Sequence, residues 1–178
     1  MMLHNIIKNI IRKEYIMSEK YCYECGSKLI KKELENEGII SFCPKCNQYH
    51  FPMYNVAVSM IVINKETNKL LLIKQYGKPF YILVAGYVNR TEQLEHAVAR
   101  EIKEETGMNV SSIKFNRTSF YEPSNVLMCN FTAFVENDKD FCVNEEIDDY
   151  SWFTYEEAKK YIRENSLAAY FLNAYLDE

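Results

Sequence analysis

The middle of the chain carries apolar runs of strand length that are separated by short polar segments. NVAVSMIVIN (55–64) and KLLLIKQY (69–76) flank the polar segment KETN, a pattern that predicts a hairpin of two buried strands. FYILVAGYV (80–88) predicts a third strand. Further strands are predicted from three later runs: SSIKFNRTSFY (111–121), NVLMCNFTAFVE (125–136) and IDDYSWFT (147–154).

Helical spacing follows the third run. The predicted helix buries one apolar stripe: Leu94, Ala97, Val98 and Ile102. Thr91 is predicted to cap its start and Gly107 to end it. Two closing helices are predicted from TYEEAKKYIREN (154–165) and SLAAYFLNAYLDE (166–178). Strands with one early helix and two late helices predict an α/β/α sandwich around a mixed sheet.

The predicted helix ends with three glutamates on one face: Glu101, Glu104 and Glu105, at positions i, i+3 and i+4. Like charges at this spacing repel, and carboxylates near a helix C-terminus oppose its dipole, each at a cost of about a few tenths of a kcal/mol. A solvated acidic face is one interpretation. A hard divalent cation held by clustered carboxylate oxygens is the other, because a sequence that breaks local rules without local gain often marks a functional site.

Four of the six cysteines form two C-x2-C pairs: Cys22 with Cys25, and Cys43 with Cys46. This spacing is typical of a structural zinc site with no open position, and Gly26 and Pro44 suit the tight turns that it needs. Two disulfides are the alternative, but nothing in the sequence indicates secretion, which favours zinc. The segment 27–42 between the pairs predicts a polar hairpin. Cys129 and Cys142 lie in apolar surroundings and are predicted to be ordinary core residues.

Composition limits the remaining classes of function. A length of 178 residues fits one domain plus a small module, and a net charge of −4 argues against nucleic-acid binding by the whole surface. No apolar run approaches the roughly 20 residues of a membrane span, and the N-terminal segment lacks the features of a signal peptide, so no membrane partner and a cytoplasmic location are expected. We predict an N-terminal extension (1–19), a zinc ribbon (20–52) and a catalytic domain (53–178). Translation starts at Met17, or else the first 16 residues form a packing or dimerisation helix.

The segment GYVNRTEQLEHAVAREIKEETGM resembles the Nudix box over all of its 23 positions. It matches every fixed position of that motif: Gly86, Glu92, Arg100, Glu101, Ile102, Glu104, Glu105, Gly107 and Met108. A match of this length is very specific, and the resemblance extends over roughly Tyr54 to Glu178. It implies the Nudix α/β/α sandwich with a mixed sheet, and hydrolysis of a nucleoside diphosphate linked to another group.

The resemblance also implies a catalytic Mg²⁺ or Mn²⁺ ion. Its implied ligands are the carboxylates of Glu101 and Glu105, with Glu104 as a further ligand, and a backbone carbonyl at Ala85 or Gly86. Glu92 and Arg100 are expected to pair and to hold the loop against the helix. Outside the box, Glu146 in NEEIDDYSWF (144–153) is expected to serve as a further ligand or as the base, the alternative being a solvated acidic turn.

A four-cysteine ribbon before this domain resembles the NADH pyrophosphatase branch. Members of that branch split NAD(H) into a mononucleotide and AMP, and some remove NAD caps from RNA. Phe51 and Tyr87 are expected to stack on a base, or else to be core or hinge aromatics. The branch signature SQPWPFPxS is replaced by SFYEPSN (119–125), whose side chains are expected to line the pocket with a different preference: Tyr121, Glu122 and Ser124. NADH, ADP-ribose, dinucleoside polyphosphates and nucleotide sugars are all candidate substrates.

Two other functions compete with this interpretation. One is an enzyme that processes RNA 5′ ends and uses the ribbon to contact RNA, although the lysines of the ribbon are nearly balanced by glutamates. The other is a non-catalytic nucleotide sensor, which is expected to have lost box glutamates that this chain keeps. Relatives of this architecture are often homodimers, so a homodimer is a further expectation.

Overall fold

The computed structural model describes residues 20–177. The chain divides into two compact units between Met53 and Tyr54. The predictions about Met17 and an N-terminal helix fall on residues 1–19, outside the described part. No helix among residues 20–177 is both long enough and apolar enough to cross a bilayer.

The first unit contains a three-stranded antiparallel sheet. Its strands are β1 (Ile30–Leu34), β2 (Gly38–Cys43) and β3 (Gln48–His50), in the order β1-β2-β3. The predicted polar hairpin between the cysteine pairs is therefore confirmed. Gly38 turns the chain between β1 and β2 with a φ of 82°, a backbone conformation that glycine adopts without steric cost.

The second unit is built on a six-stranded mixed sheet. Its strands are β4 (Asn55–Asn64), β5 (Lys69–Gln75), β6 (Val84–Tyr87), β7 (Val110–Tyr121), β8 (Val126–Val135) and β9 (Ile147–Phe153). The order is β7-β8-β4-β5-β9, and β6 pairs with β4. The pair β4–β8 is parallel, and the other pairs are antiparallel. This arrangement confirms the predicted mixed sheet.

Three helices cover the two faces of this sheet: α1 (Leu94–Thr106), α2 (Tyr155–Tyr161) and α3 (Leu167–Leu176). Successive residues of a strand point to opposite faces, so β4 and β5 contribute to two separate cores. Val62 and Ile73 belong to the core that contains the apolar face of α1. Ile63 and Leu72 belong to the core that contains residues of α2 and α3. The predicted α/β/α sandwich is confirmed.

The start of α1 differs from the prediction. Thr91 is not the N-cap: Gln93 occupies that position, and its side chain forms no capping hydrogen bond. Thr91 has a φ of 70° and lies in the turn before the helix. The Glu92 carboxylate accepts a hydrogen bond from the Asn89 N–H at 2.8 Å, which folds this turn back on itself and delays the helix by two residues. Gly107 ends the helix as predicted, with a left-handed φ of 70°.

One of the two cysteines outside the ribbon was assigned wrongly. Cys129 is buried in the core beside α1, as predicted. Cys142 is exposed. Its backbone N–H donates to the Thr106 carbonyl at 2.9 Å at the end of α1, so the backbone of Cys142, not its thiol, serves the fold.

Candidate functional site

The four paired cysteines converge in the first unit. Their sulfurs all lie within 4.8 Å of one another, with 3.9 Å between Cys22 and Cys46 and 3.5 Å between Cys25 and Cys43. A disulfide joins sulfurs at about 2.05 Å, so these distances exclude the disulfide alternative in this structure. A tetrahedral zinc ion with bonds of about 2.3 Å separates its sulfurs by about 3.8 Å. The donor set and its spacing therefore fit a structural zinc ion.

Hydrogen bonds shift the pKa values of two of these thiols in opposite directions. Hydrogen bonds from Ser27, chiefly involving its side chain, lower the pKa of Cys25 to about 6. The hydrogen bond with Cys25, together with burial, raises the pKa of Cys46 to about 12. One thiolate is thus stabilised by its neighbours, whereas a zinc ion would hold all four sulfurs as thiolates.

Replacing Cys25 by serine is expected to remove the zinc. The purified wild type is expected to contain about one zinc per chain by elemental analysis, and Cys25→Ser far less, because structural zinc sites need four ligands. Cys142→Ser is the matched control, since Cys142 is exposed and outside the cluster, and it should keep its zinc. Equal zinc in the two variants, or none in the wild type, would contradict the assignment.

Arg100 lies at the centre of the acidic residues in the second unit. Its Nε and Nη2 donate to the two carboxylate oxygens of Glu92 at 2.7 and 2.9 Å. Its Nη1 donates to Glu101 at 2.7 Å and to Glu104 at 3.0 Å, and Nη2 also reaches the Tyr87 carbonyl at 3.0 Å. The Glu92–Arg100 pair that the resemblance implies is present. Arg100 lowers the pKa of Glu92 to about 2, so this pair stays charged and ties the β6–α1 loop to the helix.

Glu105 is the most buried of the clustered glutamates. It is 4% exposed, and its Oε2 accepts a hydrogen bond from the Gln75 amide at 3.0 Å. Burial, followed by the charges of Glu101 and Glu146, raises the pKa of Glu105 to about 8. The ionised form of Glu105 is therefore disfavoured here, and a divalent cation bound beside it would stabilise that form.

Gly86 brings the backbone of β6 against the Glu101 carboxyl group. A Cβ atom at this position would overlap that carboxyl group. Gly86 pairs with Val58 of β4, so its backbone is held by the sheet. The first glycine of the box thus permits a close approach between a strand and a carboxylate, which places the Gly86 backbone and an acidic oxygen beside the same space.

These groups border a cavity of about 510 Å³ in the second unit. The predicted residues that line it are Ala85, Gly86, Tyr87, Arg100, Glu101, Glu105, Tyr121, Ser124 and Glu146. A second cavity of about 370 Å³ shares Ala85, Tyr121 and Met128 with the first. Cavities of this size accommodate small organic ligands.

Four residues that were predicted for the catalytic or substrate-binding site lie outside the wall of this cavity. Both Glu92 and Glu104 accept hydrogen bonds from Arg100 in this wall, and Glu92 also accepts one from the N–H of Asn89, another residue of the wall. Glu122 is exposed in the 3₁₀ turn Glu122–Ser124, and Phe51 belongs to the first unit and is 51% exposed. A role for these two residues in substrate binding stays a prediction.

The sequence did not point to Gln75 and Tyr76, which also line the cavity. They are the end of an apolar run, and nothing local indicates that they face acids far along the chain. Gln75 donates to Glu105, and the Tyr76 hydroxyl donates to Glu146 at 2.8 Å. Glu105 and Glu146 therefore each have a hydrogen-bond partner at the end of β5. Among residues 20–177, only the four paired cysteines have ligand atoms as close together as those of a metal site. The negative charge, the oxygen donors and the space beside Gly86 nevertheless fit a hard cation.

Binding of Mn²⁺ is expected to release a proton from Glu105. Below its pKa of about 8 this carboxyl is protonated, whereas a cation ligand must be ionised, so affinity rises with pH up to about 8 and falls by up to about tenfold per pH unit below it. Calorimetry at pH 7 in two buffers of different ionisation enthalpy counts the protons. About one proton should be released by the wild type and none by Glu105→Gln. A binding heat of the wild type that does not depend on the buffer would contradict the expected role of Glu105 as a ligand.

Comparison with known proteins agrees with the resemblance of the sequence to the Nudix box. The family model of the NUDIX domain matches residues 53–175. The chain is 28% identical over 164 residues to NAD-capped RNA hydrolase NudC of Stutzerimonas stutzeri, a match that covers 91% of the chain and 58% of that protein. It is 32% identical over 148 residues to the chloroplastic Nudix hydrolase 19 of Arabidopsis thaliana, covering 79% of the chain and 34% of that protein. The chain spans about half the length of the curated relatives it matches.

A solved structure shows the same fold. The crystal structure of a NUDIX hydrolase from Nitrosomonas europaea aligns with a TM-score of 0.62 over 88% of both chains. The sequence identity in this alignment is 24%. The similarity therefore bears on the architecture of the chain.

Proposed function

The chain belongs to the Nudix family, and from this premise we propose that it is a divalent-metal-dependent hydrolase that cleaves the diphosphate of NAD(H)-like dinucleotides or of ADP-ribose-like compounds. The observation that carries the proposal is the acidic wall of the larger cavity. Glu101 and Glu105 from α1 and Glu146 from the segment before β9 border one space beside Gly86. Such a set of oxygen donors suits Mg²⁺ or Mn²⁺.

The residues of α1 would bind the cation and keep its site in order. Glu101 and Glu105 are the proposed main ligands, joined by a carbonyl at Ala85 or Gly86 and by the exposed Glu104. When bound, Mg²⁺ or Mn²⁺ offsets the negative charge of the diphosphate and makes a bound water a better nucleophile. Glu146 approaches the same cavity from another element, where it can ligate the cation or accept a proton from the water.

Arg100 contributes by orienting other groups. Its bidentate contact with Glu92 leaves Nη1 free to hold Glu101, so one guanidinium fixes both the loop and a proposed ligand. The Nη2 contact with the Tyr87 carbonyl also fixes the backbone directly after Gly86. Ligand and carbonyl are therefore positioned relative to each other before substrate binds.

Two aromatic side chains in the wall support a nucleotide as substrate. Tyr87 and Tyr121 line the cavity, and each is half exposed. Stacking of a base on an aromatic ring contributes about 1–3 kcal/mol. The segment SFYEPSN, which replaces the branch signature, contains the 3₁₀ turn and contributes Ser124 to the same wall. The sequence of this segment would therefore tune which base or sugar is preferred.

Removal of an NAD cap from an RNA 5′ end is a second candidate function. It is favoured by relatives that carry the name NAD-capped RNA hydrolase NudC. The diphosphate chemistry would be the same, and the RNA chain would extend from the adenosine half.

We also propose that the zinc ribbon is structural and that the protein forms a homodimer. Sedimentation of the purified protein would test the homodimer.

A substrate panel tests these proposals. The wild type is incubated with Mg²⁺ or Mn²⁺ and NADH, NAD, ADP-ribose, diadenosine polyphosphates or NAD-capped RNA, and the products are separated by chromatography. AMP and a reduced mononucleotide from NADH are the expected products. Preference for capped RNA would favour the second function, and cleavage of diadenosine polyphosphates alone would contradict both.

A further inference from the structure

The turn after β5 has an unusual backbone at the edge of the acidic cavity. Tyr76 has a φ of 55°, a left-handed conformation that crowds a residue with a Cβ atom. Its side chain is 69% exposed, so burial in a core does not explain the conformation. Such strained residues cluster at functional sites. The hydroxyl of Tyr76 donates to Glu146 Oε2 at 2.8 Å.

The left-handed turn lets two consecutive side chains serve the same cavity. In an extended strand, neighbouring side chains point to opposite faces. Here Gln75 and Tyr76 both line the cavity, and they contact different acids: Gln75 contacts Glu105, and Tyr76 contacts Glu146. The end of β5 thus links two carboxylates that come from separate parts of the chain.

The strand that follows Glu146 is also fixed to this turn. In the β5–β9 ladder, Lys74 pairs with Asp149 and Gln75 with Ile147, which leaves Asp148 as an extra residue in a bulge. Its carboxylate accepts a hydrogen bond from the Gly77 N–H at 2.6 Å. Bulges redirect the side chains beside them and are frequent next to active sites. The bulge and its bond to Gly77 hold the backbone near Glu146, so the Tyr76 hydroxyl can fix its carboxylate.

We propose that Tyr76 is a positioning residue that holds the Glu146 carboxylate toward the cation site, an inference that rests on the proposed function. The hydrogen bond with Glu146, together with the negative charges of nearby glutamates, raises the pKa of Tyr76 to about 12. The hydroxyl therefore keeps its proton and remains a donor under ordinary conditions. Because a tyrosine hydroxyl bonds only one carboxylate oxygen here, the other oxygen is left for a cation or a water.

Tyr76→Phe tests this role because it removes only the hydroxyl. Residues that hydrogen-bond to metal ligands contribute about ten- to a hundredfold to affinity or activity, so the Mn²⁺ dissociation constant should rise by about tenfold in a titration followed by electron paramagnetic resonance. Tyr81→Phe is the matched control. It removes a hydroxyl bond of 2.9 Å to Asp149 on the same sheet edge, away from the cavity wall, and should bind Mn²⁺ like the wild type.

A double-mutant cycle separates positioning from a general effect on the fold. In a Glu146→Ala background, Tyr76→Phe should cause no further loss of Mn²⁺ affinity or of kcat. Normal Mn²⁺ binding by Tyr76→Phe, or an equal loss in both backgrounds, would overturn the role of Tyr76 while the proposed function stands. A wild type that binds no Mn²⁺ would overturn the proposed function, and this inference with it.

Discussion

Glu101→Gln is expected to lower kcat/KM by about a thousandfold or more while the protein stays folded. The substitution keeps the shape of the side chain but removes the negative charge that would face the cation. Losing a cation's stabilisation of the transition state costs several kcal/mol, and about 4 kcal/mol corresponds to a thousandfold. Arg100 can still donate to the amide oxygen, so the helix and loop should keep their contacts.

The matched control for this variant lies on the same helix. Glu95→Gln changes an exposed acid in the first turn of α1 and should leave turnover near the wild-type value. Circular dichroism and thermal melting check that both variants are folded. Turnover of Glu101→Gln within about threefold of the wild type would remove Glu101 from the proposed metal ligands, since a thousandfold effect is expected for a ligand.

Gly86→Ala is expected to lower kcat/KM by about a hundredfold with little change in melting temperature. The added Cβ would overlap the Glu101 carboxyl group, and that flexible group can move away more easily than the backbone. A displaced ligand loses its geometry, and a misplacement of about 1 Å can cost about a hundredfold in rate. The loss should therefore fall on turnover, which is measured with the best substrate of the panel.

Gly38→Ala serves as the control for replacing a glycine. Gly38 has a φ of 82° in the first unit, and an added Cβ would meet no other atom within 4 Å. The alanine should lower stability through backbone strain while turnover is kept. If Gly86→Ala turned over substrate as the wild type does, the close approach at Gly86 would have no part in catalysis.

The strands and helices were predictable because each one carries its own periodic pattern. The run 55–64 became β4 and the apolar stripe of 94–102 became the buried face of α1. The start of α1 was not predictable in the same way. Thr91 is a residue type that often caps helices, but the contacts of Glu92 with Asn89 and Arg100 determine the conformation of the loop and so where α1 begins. Such contacts depend on the assembled fold.

The candidate site shows the same division. The box glutamates could be named because their clustering on one helix face breaks local rules, and the cysteines because of their spacing. Gln75 and Tyr76 could not be named, since their partners Glu105 and Glu146 lie 30 and 70 positions away. The role of Gly86 was likewise visible as a motif position, but its physical reason is the contact between β6 and Glu101, which only the structure displays.

We propose that the acidic cavity hydrolyses the diphosphate of its substrate with a divalent cation. Phosphorus NMR of NADH and of ADP-ribose, each incubated with the wild type and Mg²⁺, tests this proposal. The diphosphate resonances should be replaced by those of two phosphate monoesters, and they should stay unchanged in EDTA or with Glu101→Gln. Hydrolysis that persists in EDTA or in Glu101→Gln would contradict the proposal, and so would intact diphosphates of both NADH and ADP-ribose with the metal-loaded wild type.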